Sequence, residues 1–446
     1  MQKYLIKNIL VVNEGEISCN DILISNKFIE KIDNTINFKG NIIEIDGEGK
    51  HLLPGVIDDQ VHFREPGLTH KATIASESAA AVAGGVTTFM EMPNTIPNAL
   101  TLDLLENKYA IAAQSSIANY SFFMGVSNDN SNEALKINSF KNTICGLKIF
   151  MGSSTGNMLV NNHTTLDKIF SESELLIATH CEDERIIKQQ YEIIKANKNV
   201  LNAADHPLIR NAEACYQSSV TAIQFAKKYN SRLHILHIST EKELQLFGNM
   251  LPLKEKRITA EVCVHHLHFT ANDYEKLGYK IKCNPAIKDG FNKTALWQAL
   301  LDDRLDVIAT DHAPHLLSEK NEPYEIAHAG LPLVQHSLPL MLHYHNQGII
   351  TLQKIAEKMS HAVADCFQIK NRGYIKEGFF ADLALVNLHK AYTVTKDNIL
   401  YKCGWSPLEN FNMPASIEKT FVNGNLVFEN NKLNNTNLGM RLEFER

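Results

Sequence analysis

The chain of 446 residues has no long apolar run, no closely spaced cysteine pair and no excess of positive charge. No hydrophobic stretch approaches the roughly 20 residues that a membrane-spanning helix needs, and the first residues lack the apolar core of a secretion signal. None of the eight cysteines stands in a Cys-x-x-Cys pattern, so neither a disulfide framework nor a structural zinc knot is indicated. We therefore expect a cytoplasmic protein with free, mostly buried thiols, Cys181, Cys263 and Cys283 among them.

The net charge of -6 gives no indication of a nucleic-acid or membrane surface. A small anionic substrate would therefore need a local cationic pocket. The length suits one large domain and a smaller one.

Short β-type runs bracket the chain at both ends. The runs are Tyr4 to Val12, Asp21 to Ser25, Phe28 to Ile32, Ile42 to Ile45, Asp382 to Asn387, Lys419 to Val422 and Leu426 to Glu429. Neither end is large enough to be stable alone. We predict that residues 1–53 and 372–446 join in one small β-sandwich.

Residues 54–371 alternate between apolar β-type runs and amphipathic helical patterns. The eight candidate strands are Val56 to His62, Val86 to Met92, Tyr120 to Val126, Gly146 to Met151, Leu175 to His180, Leu233 to Ile238, Ile258 to Val264 and Leu305 to Thr310. Helical patterns between them include Ile74 to Ala83 and Leu102 to Ala113. This alternation predicts an α/β fold of the (β/α)8 barrel type, the TIM barrel.

Polar side chains stand at the ends of these strands, where such barrels carry their functional groups. Gln60, His62 and Arg64 are two residues apart, so an extended strand places them on one face. Later strands end in, carry or lead to Asn94, Lys148, His180, His237, Asn284, Asp311 and His315. Imidazole and carboxylate ligands suit zinc, which activates a water for attack on an amide. Asp311 is the natural base, since the first and last strands adjoin in a closed barrel.

Lys148 is open to two interpretations. It lies between Leu147 and Ile149 in an apolar strand, so it either reaches outward or pairs with an acid, or it faces inward without its proton. A neutral amine can react with carbon dioxide to give a carbamate, which can bridge two cations. The spacing alone does not choose between these interpretations.

Several segments closely resemble the class I dihydroorotases of the amidohydrolase superfamily. They are His-Phe-Arg-Glu-Pro-Gly, Met-Pro-Asn-Thr, Thr-His-Cys-Glu-Asp, His-Ile-Ser-Thr, Asn-Pro-Ala-Ile-Lys and Asp-His-Ala-Pro-His. The resemblance implies the metal ligands His62, Lys148, His180, His237 and Asp311, with Asp311 also the base. It implies that Arg64, Asn94, Asn284 and His315 hold the substrate, mainly its carboxylate, that His62 faces it, and that the backbone of Ala329 and Gly330 contacts its ring. A guanidinium suits this task because it grips a carboxylate bidentately; the alternative for Arg64 is a salt bridge to Glu65 or Asp58.

The chain departs from the family pattern at three places. Gln60 replaces the usual first histidine, and an amide oxygen is a poorer zinc ligand, so we expect one firmly held zinc and a second that is weak or absent. Lys148 stands where many class I members use an aspartate, and a carboxylated lysine is more typical of class II dihydroorotases, allantoinases and hydantoinases. The segment that follows Gly330 lacks the family's Gly-Leu-Glu pattern, which alters the rim of the ring pocket.

The resemblance implies a zinc-dependent dihydroorotase, which interconverts dihydroorotate and N-carbamoyl-aspartate in pyrimidine synthesis. A homodimer is compatible with it. One alternative is another cyclic amidohydrolase, an allantoinase or dihydropyrimidinase, which Lys148 favours and Arg64 and His315 disfavour. Another is an inactive scaffold for aspartate transcarbamoylase, which only Gln60 supports.

Further histidines and acids resemble site residues. The segment His265-His266-Leu267-His268 contains a His-x-His, yet it follows strand seven, where the family has a His-His pair without ligand duty, so we predict a structural role. His336, His343 and His345 lie on an amphipathic stretch and are predicted to form a solvated face. Asp58 and Asp59 are predicted to orient the first barrel strand.

Overall fold

The computed structural model describes residues 3–152, 158–434 and 439–446. Five strands precede the barrel: β1 (Lys3–Asn13), β2 (Glu16–Ser25), β3 (Phe28–Asp33), β4 (Ile43–Asp46) and β5 (His51–Pro54). Alternating apolar residues build these strands, and their inward side chains form one core with residues from the other end of the chain, for example Ile22, Leu52 and Phe421.

Eight parallel strands form the barrel. They are β6 (Val56–Val61), β7 (Val86–Glu91), β8 (Asn119–Gly125), β9 (Gly146–Phe150), β10 (Ile177–His180), β11 (Leu233–Ile235), β12 (Ile258–Cys263) and β13 (Val307–Ala309), and they neighbour one another in chain order. A bridge between Val61 and His312 joins the two ends, where His62 N donates to the His312 carbonyl over 2.7 Å. The predicted (β/α)8 barrel is confirmed.

The remaining strands follow the barrel in sequence. They are β14 (Leu383–Asn387), β15 (Tyr392–Thr393), β16 (Asn412–Met413), β17 (Ser416–Val422), β18 (Asn425–Glu429) and β19 (Lys432–Leu433). β14 pairs antiparallel with β5, so strands from both ends share one nine-stranded sheet in the order β19-β18-β17-β14-β5-β1-β2-β3, with β4 beside β1. The predicted union of the two β-rich ends is thus observed, while the exact domain boundaries stay a prediction.

Helices cover the outside of the barrel and the loops at its mouth. They are α1 (Ile74–Ala83), α2 (Leu102–Ser115), α3 (Ser131–Ala134), α4 (His163–Glu172), α5 (Glu184–Ala196), α6 (His206–Ile209), α7 (Ala212–Tyr229), α8 (Val264–His268), α9 (Tyr274–Leu277), α10 (Gly290–Leu301), α11 (Leu317–Lys320), α12 (Ser337–Asn346), α13 (Leu352–Ala356) and α14 (Ala362–Phe367). The side chain of Thr73 accepts from Ser76 N and so caps α1, which begins and ends where the sequence predicts. None of the helices in the described ranges is long and apolar enough to cross a bilayer.

The last eight residues close the amino-terminal end of the barrel. Leu442 and Phe444 are buried there against residues such as Leu176. Arg446 donates to the carbonyls of Ile144 and Cys145. This end is therefore plugged by side chains, and the functional groups lie at the opposite mouth.

Candidate active site

A single cavity at the carboxyl ends of the barrel strands collects almost all the predicted site residues. Its lining is Gln60, His62, Arg64, Asn94, Lys148, Phe150, His180, His237, Asn284, Asp311, Ala313, Ala329 and Gly330. Only His315 of the predicted set lies outside this lining, directly behind Arg64 and Ala329. The barrel thus brings together residues that are up to 270 positions apart in the sequence.

Lys148 faces the cavity from β9 and is 1% exposed. Its Nζ lies 4.5 Å from the centroid of the Phe150 ring. Burial lowers the pKa of Lys148 to about 7, although the carboxylates of Asp311 and Glu261 oppose this change. The outward orientation is therefore excluded, and a large fraction of the amine is neutral near neutral pH.

His180 and His237 meet beside Lys148. His180 Nδ1 lies 3.0 Å from His237 Nε2. The other nitrogen of His180, Nε2, lies 3.1 Å from a carboxylate oxygen of Glu182, which in turn pairs with Arg210. Burial lowers the pKa of both imidazoles, despite Glu182 in the case of His180, so both are neutral bases. A carboxylate on the far nitrogen is the arrangement that orients a metal-binding histidine.

Three cavity residues adopt a left-handed backbone conformation that is rare outside glycine. The φ angles are 67° at Arg64, 41° at His237 and 47° at Asp311. Each follows the end of its strand, and Glu261 holds the turn at His237 by accepting from its backbone N–H over 3.0 Å. Such strain is held in place only by surrounding structure and concentrates at functional sites.

His62 and Asp311 face each other on the other side of Lys148. His62 Nδ1 lies 2.7 Å from Asn94 Oδ1, and its Nε2 lies 3.0 Å from Asp311 Oδ1. Both neighbouring atoms are hydrogen-bond acceptors. Burial lowers the pKa of His62 in spite of Asp311, so the ring is neutral and its single N–H can donate to only one of them. If that proton goes to Asn94, a cation fits between Nε2 and the carboxylate.

Gln60 presents its amide nitrogen to this pair. Its Nε2 donates to Asp311 Oδ1 over 3.2 Å, and its Oε1 faces Cys263 Sγ at 3.7 Å. The only atom of Gln60 that could bind a metal is thus turned away from His62. The weaker site expected near His62 stays a prediction.

The donor set fits a metal ion. Two neutral imidazoles with a neutral lysine amine beside them stand on one side of the cavity, and an imidazole with an ionised carboxylate stands on the other. Burial raises the pKa of Asp311, but its hydrogen bond with His62 and the other favourable interactions in the cavity outweigh burial and lower the pKa, so the carboxylate keeps its charge. Imidazole and carboxylate donors are the ligands typical of zinc.

Arg64 is held inside the cavity wall rather than on the rim. It is 3% exposed, its Nε donates to the Pro314 carbonyl over 3.1 Å, and its Nη2 lies 3.0 Å from His315 Nε2. The alternative of a salt bridge to Glu65 or Asp58 is wrong, because Glu65 accepts from Ile74 N and Asp58 accepts from Thr310. Burial lowers the pKa of Arg64 to about 10, so it remains charged at neutral pH.

His315 is a support for Arg64 that is itself held by two further charges. Its Nδ1 lies 3.1 Å from Lys71 Nζ, and Lys71 pairs with Glu319 at 2.9 Å. Burial and the Arg64 charge lower the pKa of His315 well below its usual range, which keeps the ring neutral. The sequence singled out His315 but gave no indication of Lys71, which is 244 positions away from His315 and belongs to none of the motifs.

Asn284 is oriented by a buried histidine that the sequence analysis missed. His206 Nε2 lies 2.9 Å from the Cys283 carbonyl and 3.1 Å from Asn284 Oδ1, while its Nδ1 lies 2.9 Å from the Tyr324 hydroxyl. Since Nε2 faces two acceptors, it carries the proton and Nδ1 accepts from Tyr324. The Asn284 oxygen therefore points at His206, which leaves its two N–H donors for the cavity.

Ala329 and Gly330 form the part of the cavity lining that lies next to Ala313 and His315. Gly330 has φ 143°, and a Cβ there would lie 2.5 Å from the Ala313 carbonyl oxygen, so a larger residue does not fit. Buried Lys320 donates to the Gly330 carbonyl over 2.9 Å and fixes this wall.

Two predictions about other residues have clear outcomes. All eight cysteines are free, and Cys181, Cys263 and Cys283 are buried as expected. The solvated histidine face is wrong for His336, which is fully buried with Nδ1 2.8 Å from the Tyr401 hydroxyl. A short 3-10 turn before α12 directs His336 inward, which an amphipathic pattern does not reveal.

Comparisons with known proteins agree with this geometry. The sequence profile of the amidohydrolase family matches residues 51–427. A dihydroorotase from Methanosphaera stadtmanae is 32% identical over 443 residues, which cover 97% of each chain. An allantoinase from Desulfitobacterium hafniense is 30% identical over 446 residues, which cover 97% of this chain and 98% of that one.

The fold comparison extends over the whole chain. The solved structure of an L-hydantoinase (dihydropyrimidinase) from Arthrobacter aurescens superposes with a TM-score of 0.92 at 24% identity and covers 99% of this chain and 100% of that one. The barrel and the sheet built from both termini are therefore a shared architecture. With the family profile matching most of its length and a relative 32% identical along nearly all of it, this chain belongs to the amidohydrolase family.

Proposed function

We propose that the protein is a zinc-dependent dihydroorotase that reversibly hydrolyses the cyclic amide of (S)-dihydroorotate to N-carbamoyl-L-aspartate, in the de novo pyrimidine pathway of the cytoplasm. The observation that carries this proposal is that Arg64, Asn94 and Asn284 line the same cavity as the residues that would hold zinc, with Arg64 charged and the N–H donors of Asn284 free for the cavity. Dihydroorotate has one carboxylate, attached to the ring that must be opened. A cavity that grips a carboxylate at one wall and attacks an amide at the other matches that substrate.

The grip depends on groups already arranged before substrate enters. Arg64 is charged and nearly free of solvent, so a carboxylate that replaces water there gains a charge-assisted hydrogen bond in a medium of low dielectric constant. Asn284 presents two N–H donors because His206 holds its oxygen. The backbone of Ala329 and Gly330 lines the same cavity and is proposed to contact the ring.

The residues that would hold zinc are His62, Lys148, His180, His237 and Asp311. A bound zinc would supply a Lewis acid for the amide carbonyl and an activated water. The neutral amine of Lys148 can add carbon dioxide, forming an N–C bond and releasing a proton, and the resulting carbamate is an anionic ligand. We include Nζ carboxylation of Lys148 in the proposal.

Asp311 is the residue proposed to transfer the proton from water to the ring nitrogen. Its pKa is lowered by His62 against the effect of burial, so the carboxylate is ionised and can accept a proton from water at the start of hydrolysis. It can then deliver that proton to the departing ring nitrogen. The hydrogen bond from Gln60 Nε2 to Asp311 Oδ1 fixes the direction of its second oxygen.

A second candidate is hydrolysis of a neutral cyclic amide. The similarity to an allantoinase and the carboxylated-lysine chemistry open to Lys148 favour it. The buried Arg64 disfavours it, because a neutral ring would leave a desolvated guanidinium without a counter-charge. The homodimer stays a prediction.

The proposal is tested by the kcat/KM of the purified, zinc-loaded protein on dihydroorotate, allantoin and dihydrouracil. We expect dihydroorotate to be preferred, and Arg64→Lys to reduce its kcat/KM by about 10- to 100-fold, since a charge-assisted hydrogen bond contributes about 1.5–3 kcal/mol. Arg185→Lys is the matched control, because Arg185 is exposed and bonded only to Asp183 among the described residues. Faster turnover of either neutral ring would overturn the proposal.

A further inference from the structure

Three side chains behind Gln60 form a separate group of metal-binding donors. They come from the end of β12 and the start of α8, and one donor atom each of Cys263, His265 and His266 lies within 4.8 Å of the others. All three residues are at most 3% exposed, and none contributes to the lining of the catalytic cavity. The group therefore occupies its own space beside Gln60.

Both histidines have imidazole nitrogens that lack a partner. Neither Nδ1 nor Nε2 of His265 makes a hydrogen bond within the described part of the chain, although the Thr310 carbonyl faces the ring. His266 Nε2 lies 3.1 Å from the Pro285 carbonyl and must donate to it, which leaves an unpartnered lone pair on Nδ1. Buried polar atoms are almost always satisfied, so three such atoms at one place require an explanation.

The tautomer of His266 is the one that metal-binding histidines adopt. A ligating imidazole usually donates its remote N–H to a backbone carbonyl, which aims the other nitrogen at the metal. The Pro285 carbonyl does this for His266. His206 also donates to a backbone carbonyl, but its other nitrogen accepts from the Tyr324 hydroxyl, whereas Nδ1 of His266 has no partner among the described residues.

Gln60 provides a fourth donor in a suitable place. Its amide nitrogen is engaged by Asp311, so its Oε1 points toward Cys263 Sγ at 3.7 Å. In a tetrahedral zinc site, bonds of about 2.3 Å to sulfur and about 2.1 Å to oxygen separate the two donor atoms by about 3.6 Å. The observed separation is compatible with this value, as it also is with a weak S–H···O hydrogen bond.

A second buried group in the same barrel shows the difference between a metal site and an ion pair. His234 Nε2 lies 3.2 Å from Asp59 and 3.4 Å from Glu261, and its Nδ1 lies 2.7 Å from the Thr259 hydroxyl. The two carboxylates outweigh burial and raise the pKa of His234 to about 9. A protonated His234 therefore offsets the charge of these acids, although both Asp59 oxygens lack a hydrogen bond, whereas no acid of residues 3–152, 158–434 or 439–446 forms an ion pair with His265 or His266.

We propose that Cys263, His265 and His266, with the carboxamide oxygen of Gln60, form a second divalent-metal site, distinct from the cluster around Lys148 and selective for zinc-like thiophilic ions. Binding forms a metal–sulfur bond and releases the thiol proton to solvent. Without an ion, burial and the nearby acids raise the pKa of the Cys263 thiol well above its usual range, and the charge of a bound cation reverses this preference. The site fixes Gln60 and, through it, the direction of Asp311, and it does not depend on which cyclic amide the enzyme opens.

Cobalt substitution separates this site from the catalytic cluster, because the ligands proposed for the latter include no sulfur. We expect the full-length protein loaded with Co²⁺ to show a sulfur-to-cobalt charge-transfer absorption in the near ultraviolet. Cys263→Ser should abolish that absorption and lower the bound cobalt by one equivalent. Cys181→Ser is the matched control, since Cys181 is also a buried thiol beside a proposed ligand and should leave the absorption unchanged.

His180→Ala distinguishes failure of this inference from failure of the proposed function. It should remove the metal of the catalytic cluster and the activity while the charge-transfer absorption stays. X-ray absorption of zinc-loaded wild-type protein, which needs no variant, should show a sulfur neighbour in the zinc coordination sphere. A zinc sphere of nitrogen and oxygen alone, or a charge-transfer band that survives in folded Cys263→Ser, would overturn the site.

Discussion

His180 Nδ1 and His237 Nε2 lie 3.0 Å apart, although His180 ends β10 and His237 stands two residues beyond the end of β11. Each ring is neutral. Glu182 lies at the other nitrogen of His180, and Glu261 accepts from the backbone N–H of His237 and so holds its turn. The separation is that of a hydrogen bond between the two rings, and both nitrogens become available to a cation when that bond is replaced. The sequence identified both histidines, but the carboxylates that aim them become apparent only in the fold.

Glu182→Gln should weaken metal binding without removing any ligand. Arg210 and the His180 contact outweigh burial and lower the pKa of Glu182 to about 2, so the native side chain is a carboxylate that polarises the imidazole. Loss of such a partner typically lowers metal affinity by about 10- to 100-fold. Chelator competition measures this affinity, and Glu192→Gln on the exposed face of α5 serves as the control. An unchanged affinity would mean that Glu182 serves only Arg210.

His206→Leu should impair substrate binding while the metal content stays constant. The Asn284 oxygen would lose its partner, and the amide could turn its oxygen toward the anionic substrate. We expect kcat/KM for dihydroorotate to fall by about 10-fold, which corresponds to about 1.4 kcal/mol, mainly through KM. Steady-state kinetics with metal analysis measures both quantities, with exposed His163→Leu as the control. If the variant instead loses metal, His206 does not act through Asn284.

Lys108→Met should destabilise the fold by about 3–5 kcal/mol, since it leaves a buried carboxylate without its partner. Lys108 and Glu91 are each 1% exposed and lie 2.5 Å apart, and Glu91 also accepts from Phe63 N, next to His62 of the cavity. Lys141→Met is the control, because Lys141 and Glu174 are 42% and 56% exposed and such pairs contribute at most about 1 kcal/mol. Urea unfolding measures the free energy of unfolding of both variants. Equal losses would show that the buried pair stabilises the fold no more than the exposed pair does.

Lys148 should make the stability of the metal-free protein depend on pH. Its pKa is about 7 in the fold against 10.5 for a free lysine, so between these values the unfolded chain binds a proton that the folded protein does not. Stability therefore rises as pH increases from about 7 to 10, and below pH 7 the full penalty of the buried ammonium remains. Relative to Lys148→Met, the free energy of unfolding of the wild type should rise by roughly 3–5 kcal/mol over this pH range.

The control for that measurement is the same titration with zinc and bicarbonate present. A carboxylated, metal-bound Lys148 no longer titrates as an amine. The difference in unfolding free energy between the wild type and Lys148→Met should therefore no longer rise with pH through the titration of this amine. A flat difference in the metal-free protein would show that Lys148 is not desolvated.

The sequence predicted the barrel well because each strand is an apolar run of the right length between helical patterns. It predicted less well how the strands end. Arg64 was placed on the strand face of Gln60 and His62, whereas β6 ends at Val61 and a left-handed turn brings Arg64 to the same cavity. Period-two alternation carries no information about such a turn, because tertiary contacts to Pro314 and His315 fix it.

The residues that position the site side chains could not be predicted from the sequence for a similar reason. Lys71 and His206 act through contacts between segments that are distant in sequence, and neither belongs to a motif whose spacing implies its partner. Glu182 stands in the Thr-His-Cys-Glu-Asp segment, but only the fold shows that its carboxylate lies at His180 Nε2. His265 and His266 show the opposite case: the motif was visible, but its significance depends on unpartnered nitrogens that only coordinates reveal.

The central claim is that one wall of the cavity binds a carboxylate while the other opens an amide. A crystal structure of the zinc-loaded protein with dihydroorotate or N-carbamoyl-aspartate tests it most directly. We predict that the ligand carboxylate contacts the Arg64 guanidinium and the Asn284 amide, and that the scissile amide lies against Asp311 and the His180–His237 pair. A carboxylate directed at Lys148, or a ligand bound outside this cavity, would contradict it.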